Sequence, residues 1–179
     1  MNSKKETQNV LICLFKSPYI MEKIDPLNQV ADFHRTFKHP VLETPQLPNQ
    51  DRAALRVSLL QEELNEFKQA IEDKDLVEVA DALCDIQYVL AGAILEFGLG
   101  NVFKELFEEV QRSNMSKSCI SEEEAIATQA HYRAKDGTES YVVQEGDKWL
   151  VYRSGDNKTL KSVNYSPADL KSILAQVKV

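Results

Sequence analysis

The chain has 179 residues, 43% of them hydrophobic and 27% charged, and a formal net charge of −7. That is enough apolar material for one domain of ordinary size and a small appendage. The negative balance argues against a nucleic-acid backbone as the main partner, because phosphate backbones are held by clustered Lys and Arg.

The first apolar run, Val10–Phe15, is short, Lys16 ends it and no small-residue cleavage site follows, so export is not expected. No run reaches the length needed to span a bilayer. The three cysteines, Cys13, Cys84 and Cys119, show neither CxxC nor Cys/His spacing. Neither a disulfide framework nor a zinc site is indicated, and the expected location is a reducing cytoplasm. Residues 1–24 read as an extension, because the amphipathic pattern begins only after Pro26.

From Leu27 to Phe37, apolar residues recur at helical intervals, with Leu27, Val30, Ala31, Phe33 and Phe37 as the expected buried face. Pro40, Pro45 and Pro48 then break regular structure, which predicts an extended loop running past the mouth of any site on the later helices. Asn49 or Asp51 caps a second helix whose stripe is Val57, Leu60, Leu64, Phe67 and Ile71. Glu63 flanks that stripe, with Glu66 and Glu62 progressively farther round. Lys74 and Asp75 mark a turn.

The third helix, Leu76 to about Phe97, is apolar around most of its circumference, the pattern of a buried helix. At about 100° per residue, Glu78, Asp81 and Asp85 share an arc of about 60° on it. Gly98 and Gly100 stop this helix, and Asn101 is placed to cap a fourth carrying Val102, Phe103, Leu106, Phe107 and Val110. Helices two to four should form an antiparallel array with short connections.

After Ser116 the character changes. Glu122 to Arg133 reads as a short helix, and Ser140–Val143 and Lys148–Tyr152 as a hairpin about Glu145-Gly146-Asp147. Pro167 should start a last helix over Ala168–Val177. The expected architecture is mainly α, an antiparallel helix array over residues 25–118 followed by a small α+β appendage over 119–179.

The chemistry lies in the carboxylates. Glu66 stands four residues after Glu62 and three after Glu63, and Asp81 stands three after Glu78 and four before Asp85, so these pairs stack on a helix face and repel. An acidic face on the second helix is ordinarily just solvated. Three charges on a buried helix need a partner, either a basic side chain or a cation. Oxygen ligands without His or Cys suit Mg²⁺ or Mn²⁺, and Mg²⁺ commonly works on substrate phosphates. A surplus carboxylate can serve as base toward water. His34 and His39 lack metal-type partners, and His34 reads as a structural histidine. Tyr88 should pack between helices, Trp149 should anchor the appendage, and Cys84 should be a small core residue.

The segments Glu62-Glu63-Leu64-Asn65-Glu66 and Glu78-Val79-Ala80-Asp81 carry the pattern EExxE, spacer, ExxD. Together with Phe33-His34, FGLG at Phe97–Gly100 and EVQRSNMSK at Glu109–Lys117, they resemble the all-α nucleoside triphosphate pyrophosphohydrolase superfamily, its MazG-like and dUTP-hydrolysing branch. The resemblance implies hydrolysis between the α and β phosphates of a nucleoside triphosphate. It implies Mg²⁺ held by Glu63, Glu66, Glu78 and Asp81, and Glu62 orienting or deprotonating water. Asn114 and Lys117 become candidates for substrate contacts, as does Lys161 in the segment NKTLKSVNYSPADL, which resembles a tail found in similar proteins. Asp85 would assist the metal shell or hold a lysine. A homodimer or dimer of dimers is implied, with neither nucleic acid nor membrane as partner. The competing readings are the phosphoribosyl-ATP reaction of histidine synthesis and a noncatalytic helical module that binds a basic partner.

Overall fold

A computed structural model describes residues 22–177; Cys13 and the Val10–Phe15 run lie outside the described residues. The elements in chain order are α1 (Pro26–Phe37), α2 (Gln50–Asp73), α3 (Leu76–Glu96), α4 (Phe103–Met115), α5 (Glu122–Asp136), β1 (Ser140–Glu145), β2 (Lys148–Arg153) and α6 (Leu170–Gln176). The fold is mainly α with one antiparallel hairpin. No helix among the described residues is long and apolar enough to cross a membrane.

Capping sets the helix boundaries. The Asn49 side chain accepts from the Arg52 N–H at 2.9 Å and starts α2. Lys74 then turns into the left-handed region at φ 58°, and the Asp75 carboxylate accepts from the N–H groups of Val77 and Glu78 to start α3. So short a connection forces α2 and α3 to run back along each other as the most extensively packed pair, and α1 packs against α3 as well. Val30, Ala31, Ala91 and Leu95 form the small core where α1 meets α3.

Four expectations change here. The third helix is not buried all round within one chain, since Leu76 is 79% and Val77 75% exposed, and Leu83 and Leu90 are also open. The second helix likewise leaves Val57, Leu64 and Ile71 exposed, and on α1 Phe33 and Phe37 are open while Val30 and Ala31 are buried. The reason is geometric: α1 and α2 cover only part of α3, so the remaining apolar stripe has nothing to face among the described residues. Cys84 lies on that uncovered surface and is exposed rather than a core residue.

The proline loop also takes a different route. It is strapped to the C-terminal end of α3, with the Leu42 N–H donating to the Leu95 carbonyl and the Gln46 N–H to the Phe97 carbonyl, both at 3.0 Å. At a rise of about 1.5 Å per residue, that end lies roughly 15 Å along the helix from Asp85, so the loop does not skirt the carboxylates. Gly98 makes the strap possible, because it has φ +67° and a Cβ there would stand 1.8 Å from the Thr44 carbonyl oxygen. Gly98→Ala is therefore expected to cost at least about 2 kcal/mol in urea unfolding. Gly137→Ala, also at positive φ but with nothing within 4 Å, should cost only the backbone penalty of about 1–2 kcal/mol.

The fourth helix departs from the expected array, since its principal helix partner is α6 and not the α2/α3 pair. Val102, not Asn101, occupies its N-cap, without a side-chain bond, while the Asn101 amide reaches the Glu43 carbonyl. The last helix is also shorter than expected, starting after Asp169, whose carboxylate caps it. Helix α5 and the hairpin share a second core of Cys119, Ala125, Val151 and Leu160, against which Trp149, Val142 and Tyr132 pack. Trp149 and Cys119 exchange backbone hydrogen bonds at 2.8 and 2.9 Å, so Trp149 does anchor this region.

Candidate metal and phosphate site

Pairing α2 with α3 brings the two acidic sets to face each other. Loss of surrounding water pushes the Glu63 carboxyl above its ordinary value, and the negative charges of Asp85, Glu66, Glu62 and Asp81 push it further. Four of the six carboxylates thus act on one, across two helices. Glu78 is exposed in the first turn of α3 and is not among the charges that act on Glu63. Asp85, expected to have a supporting role, contributes the strongest of the opposing charges.

None of these six groups is in an ion pair with a basic side chain among the described residues. Nor do any three His, Cys, Asp or Glu side chains among the described residues converge tightly enough to hold an ion as they stand. The two facts agree, because bare carboxylates repel and splay, and a hard divalent cation is what would draw them in. The donor set, oxygen only and on two rigid helices, fits Mg²⁺ or Mn²⁺.

A raised carboxyl means that the folded protein holds a proton more firmly than the unfolded chain does. The stability so gained is full at acid pH and is lost as pH rises through the raised value. A cation then competes with that proton. Added Mg²⁺ should therefore raise the melting temperature more at about pH 8 than at about pH 5, and Glu63→Gln should flatten the difference. Scanning calorimetry with and without the ion measures both.

Glu62, the candidate base, is exposed and lines a shallow groove of about 680 Å³ with Ala54, Val57, Ser58, Gln61 and Asn65. The substrate candidates gather elsewhere, at the C-terminal end of α4. Lys117 Nζ donates to Asn114 Oδ1 at 2.8 Å, and Lys161 Nζ sits 4.3 Å above the Tyr165 ring. The Tyr165 hydroxyl is 2.9 Å from Ser113 Oγ, and this hydrogen bond, helped by the charges of Lys161 and Lys117, makes it more acidic than an ordinary phenol. Asn114, Lys117 and Lys161 are thus brought together, with Tyr165 between the cations as a member the sequence did not single out. They do not stand beside the carboxylates through helix packing, because α4 is not laid along α2 or α3.

Sequence reasoning missed a buried ion cluster. Glu96, 1% exposed, receives hydrogen bonds from both Arg52 and Arg56, the Arg52 Nε contact measuring 3.0 Å. Burial pushes its carboxyl up, but the two guanidinium groups outweigh this and hold it below the ordinary range. His34, as expected, is structural: it is buried and its Nδ1 lies 2.8 Å from the Pro40 carbonyl. That carbonyl can only accept, so Nδ1 carries the proton and Nε2 is free to accept from Arg56 at 3.4 Å. Burial lowers the basicity of the ring, opposed by the Pro40 bond and aided by the Arg56 charge. Gly92 leaves room for all this, since a Cβ there would come within 2.8 Å of Arg56 Nη1. Tyr88 closes the neighbourhood edge-on to Phe33, with centroids 5.6 Å apart. The signal was present: Arg52 and Arg56 lie one helical turn apart, and Glu96 is a lone acid in an apolar run.

A sequence model of the phosphoribosyl-ATP pyrophosphohydrolase family matches residues 30–114, the stretch from α1 to the end of α4. Over that stretch, just under half of the chain, the protein is similar to the MazG-like all-α nucleoside triphosphate pyrophosphohydrolase superfamily, whose general activity is pyrophosphohydrolysis. The chain is also 24% identical, over an alignment of 243 residues, to the uncharacterized protein L479 of Acanthamoeba polyphaga mimivirus. That alignment covers 86% of this chain and 97% of the viral protein, so it includes the region beyond α4.

Proposed function

We propose that the protein hydrolyses a nucleoside triphosphate, a deoxynucleotide such as dUTP or dCTP, to the monophosphate and pyrophosphate in the presence of Mg²⁺. The observation that carries this reading is the opposed set of carboxylates at Glu63, with no basic partner among the described residues. In this reading Glu63, Glu66, Glu78 and Asp81 hold the ion, with Asp85 close behind them. The ion, when bound, neutralises phosphate charge and acidifies water.

The protein's own groups do the rest. Glu62 orients the attacking water and takes its proton as oxygen bonds to the α-phosphorus. The bond from that phosphorus to the bridging oxygen breaks, and pyrophosphate leaves with the electron pair. Lys117 and Lys161 neutralise phosphate oxygens as point charges, and Asn114 serves the base or sugar. Residues 25–118 form the hydrolase unit, and 119–179 the appendage.

A second copy of the chain completes the fold in this reading. The exposed apolar residues Val57, Leu64, Ile71, Leu76, Val77 and Leu83 mark the face of α2 and α3 that it would cover, in a dimer or dimer of dimers. Such pairing also gives a route for the α4 cluster of one protomer to approach the carboxylates of its partner. The phosphoribosyl-ATP reaction stands as a second reading because the matching family model bears that description.

The test is a panel of dUTP, dCTP, the other nucleoside triphosphates and phosphoribosyl-ATP, assayed for pyrophosphate with Mg²⁺ present. Release from one of the triphosphates is expected. If every substrate survives, or if only orthophosphate appears in the absence of contaminating pyrophosphatase, the reading fails.

A further inference from the structure

The region inserted between α4 and the tail, α5 with the β1–β2 hairpin, has no place in the hydrolytic scheme. Its hydrogen bonds nevertheless converge on one short stretch of the tail, Leu160–Val163. The Leu160 N–H donates to the Val151 carbonyl of β2 at 2.8 Å. The Lys161 N–H donates to the Tyr132 hydroxyl at 3.2 Å. Ser162 Oγ donates to the Glu124 carboxylate, which also accepts the Ile120 N–H at 3.1 Å. The Val163 N–H donates to Thr128 Oγ1 at 3.1 Å, and Thr128 is fully buried, its hydroxyl proton going to the Glu124 carbonyl at 2.8 Å.

The other side of the same stretch is tied to α4. The Ser162 N–H donates to the Lys117 carbonyl at 3.1 Å. Three residues on, Tyr165 bonds Ser113, the Ser166 N–H donates to Ser116 Oγ at 3.0 Å, and Arg112 donates to the Pro167 carbonyl at 3.0 Å. Four consecutive tail residues are thus bonded by donors and acceptors from α5, β2 and the end of α4. A tail that only needed covering would not require polar contacts from α5 at three successive residues. What this arrangement fixes is the backbone that projects Lys161 over Tyr165, beside Lys117.

We infer that the inserted α5–hairpin unit is a positioning scaffold, in which Tyr132, Thr128 and Glu124 set the backbone of residues 161–163 so that Lys161 and Lys117 present a paired cationic site to a diphosphate group. This rests on the proposed reading of Lys161 and Lys117 as phosphate contacts. It adds Tyr132, Thr128 and Glu124 as residues that act through Lys161 without touching substrate. The mildest test is Tyr132→Phe, which removes only the hydroxyl that accepts the Lys161 N–H. Thr128→Val removes the buried acceptor, and Tyr132→Phe keeps the test open if that variant does not fold.

In the full-length protein, calorimetric binding of inorganic pyrophosphate with Mg²⁺ should weaken about fivefold in Tyr132→Phe, the worth of one ordinary hydrogen bond. KM for the panel's fastest triphosphate should rise by a similar factor while kcat stays within about twofold. Lys161→Met should weaken pyrophosphate binding by itself, and adding Tyr132→Phe to it should change nothing further. Additive losses in the double variant would mean a merely structural role and overturn the inference. So would unchanged binding in Tyr132→Phe when Lys161→Met does weaken it, which leaves the phosphate reading intact. If Lys161→Met has no effect, the inference and the reading of Lys161 beneath it fall together.

Discussion

Glu66→Gln and Asp81→Asn are each expected to lower pyrophosphate release by at least about a hundredfold, the size of losing one preorganised electrostatic contact to a developing charge. Both residues are exposed and act on Glu63 only through space, so folding should survive the change. Removing one member of a set of like charges relieves repulsion worth a few tenths of a kcal/mol per pair. Without Mg²⁺ the variants should therefore melt at or slightly above the temperature of the parent, and the stabilisation by Mg²⁺ should vanish in them. Loss of activity with gain of apo stability is the signature of a charge kept for binding and not for the fold. If activity survives in both variants, or if both lose stability without metal, these carboxylates are not the metal's ligands.

Glu96→Ala should give the largest loss of stability of any substitution named here. It removes the acceptor of two guanidinium groups, one of them the buried Arg56, whose Nε already lacks a partner among the described residues. Breaking a buried pair and stranding its partner costs about 3–5 kcal/mol. For a chain of this length that corresponds to a fall in melting temperature of roughly 10 °C. Asp32→Ala, which breaks the exposed pair with Arg35, should change stability by no more than about 1 kcal/mol. Activity should fall with Glu96→Ala as well. The Arg52–Glu96–Arg56 cluster pins the C-terminal half of α3 against the N-terminal half of α2, and the register so fixed is the one that sets Glu63 opposite Asp85. Equal melting temperatures for the Glu96→Ala and Asp32→Ala variants would remove the cluster from this role.

Much of the molecule follows from local rules. The 3.6-residue rhythm, the Asn49 and Asp75 caps and the Lys74 turn place α2 and α3, because helix formation and capping depend on residues within one turn of each other. The Glu145-Gly146-Asp147 turn and its flanking β-type residues place the hairpin for the same reason. The three-or-four spacing likewise puts Glu78, Asp81 and Asp85 on one helix face and Glu66 beside Glu62 and Glu63. His34 as a structural histidine and Trp149 as an anchor were also legible.

What required tertiary structure was every question of what faces what. Whether a stripe is buried depends on a second surface, and the described residues supply one for Val30, Ala31, Ala91 and Leu95 but not for Leu76, Val77 or Cys84. The partnership of Glu96 with Arg52 and Arg56 joins residues 44 and 40 positions apart, which no local periodicity specifies. The route of the proline loop turned on one backbone approach at Gly98, and the shift of α4 from the α2/α3 pair to α6 was likewise a matter of packing. The sequence by itself determined the run of helices, the Asn49 cap of α2 and the acidic character of one face of α2 and α3. The tertiary structure decided that Asp85 opposes Glu63, that Glu96 is buried against Arg52 and Arg56, and that α5 and the hairpin bond the tail that carries Lys161. Capping and periodicity are short-range, whereas burial and charge opposition belong to pairs of segments and exist only once those segments have met.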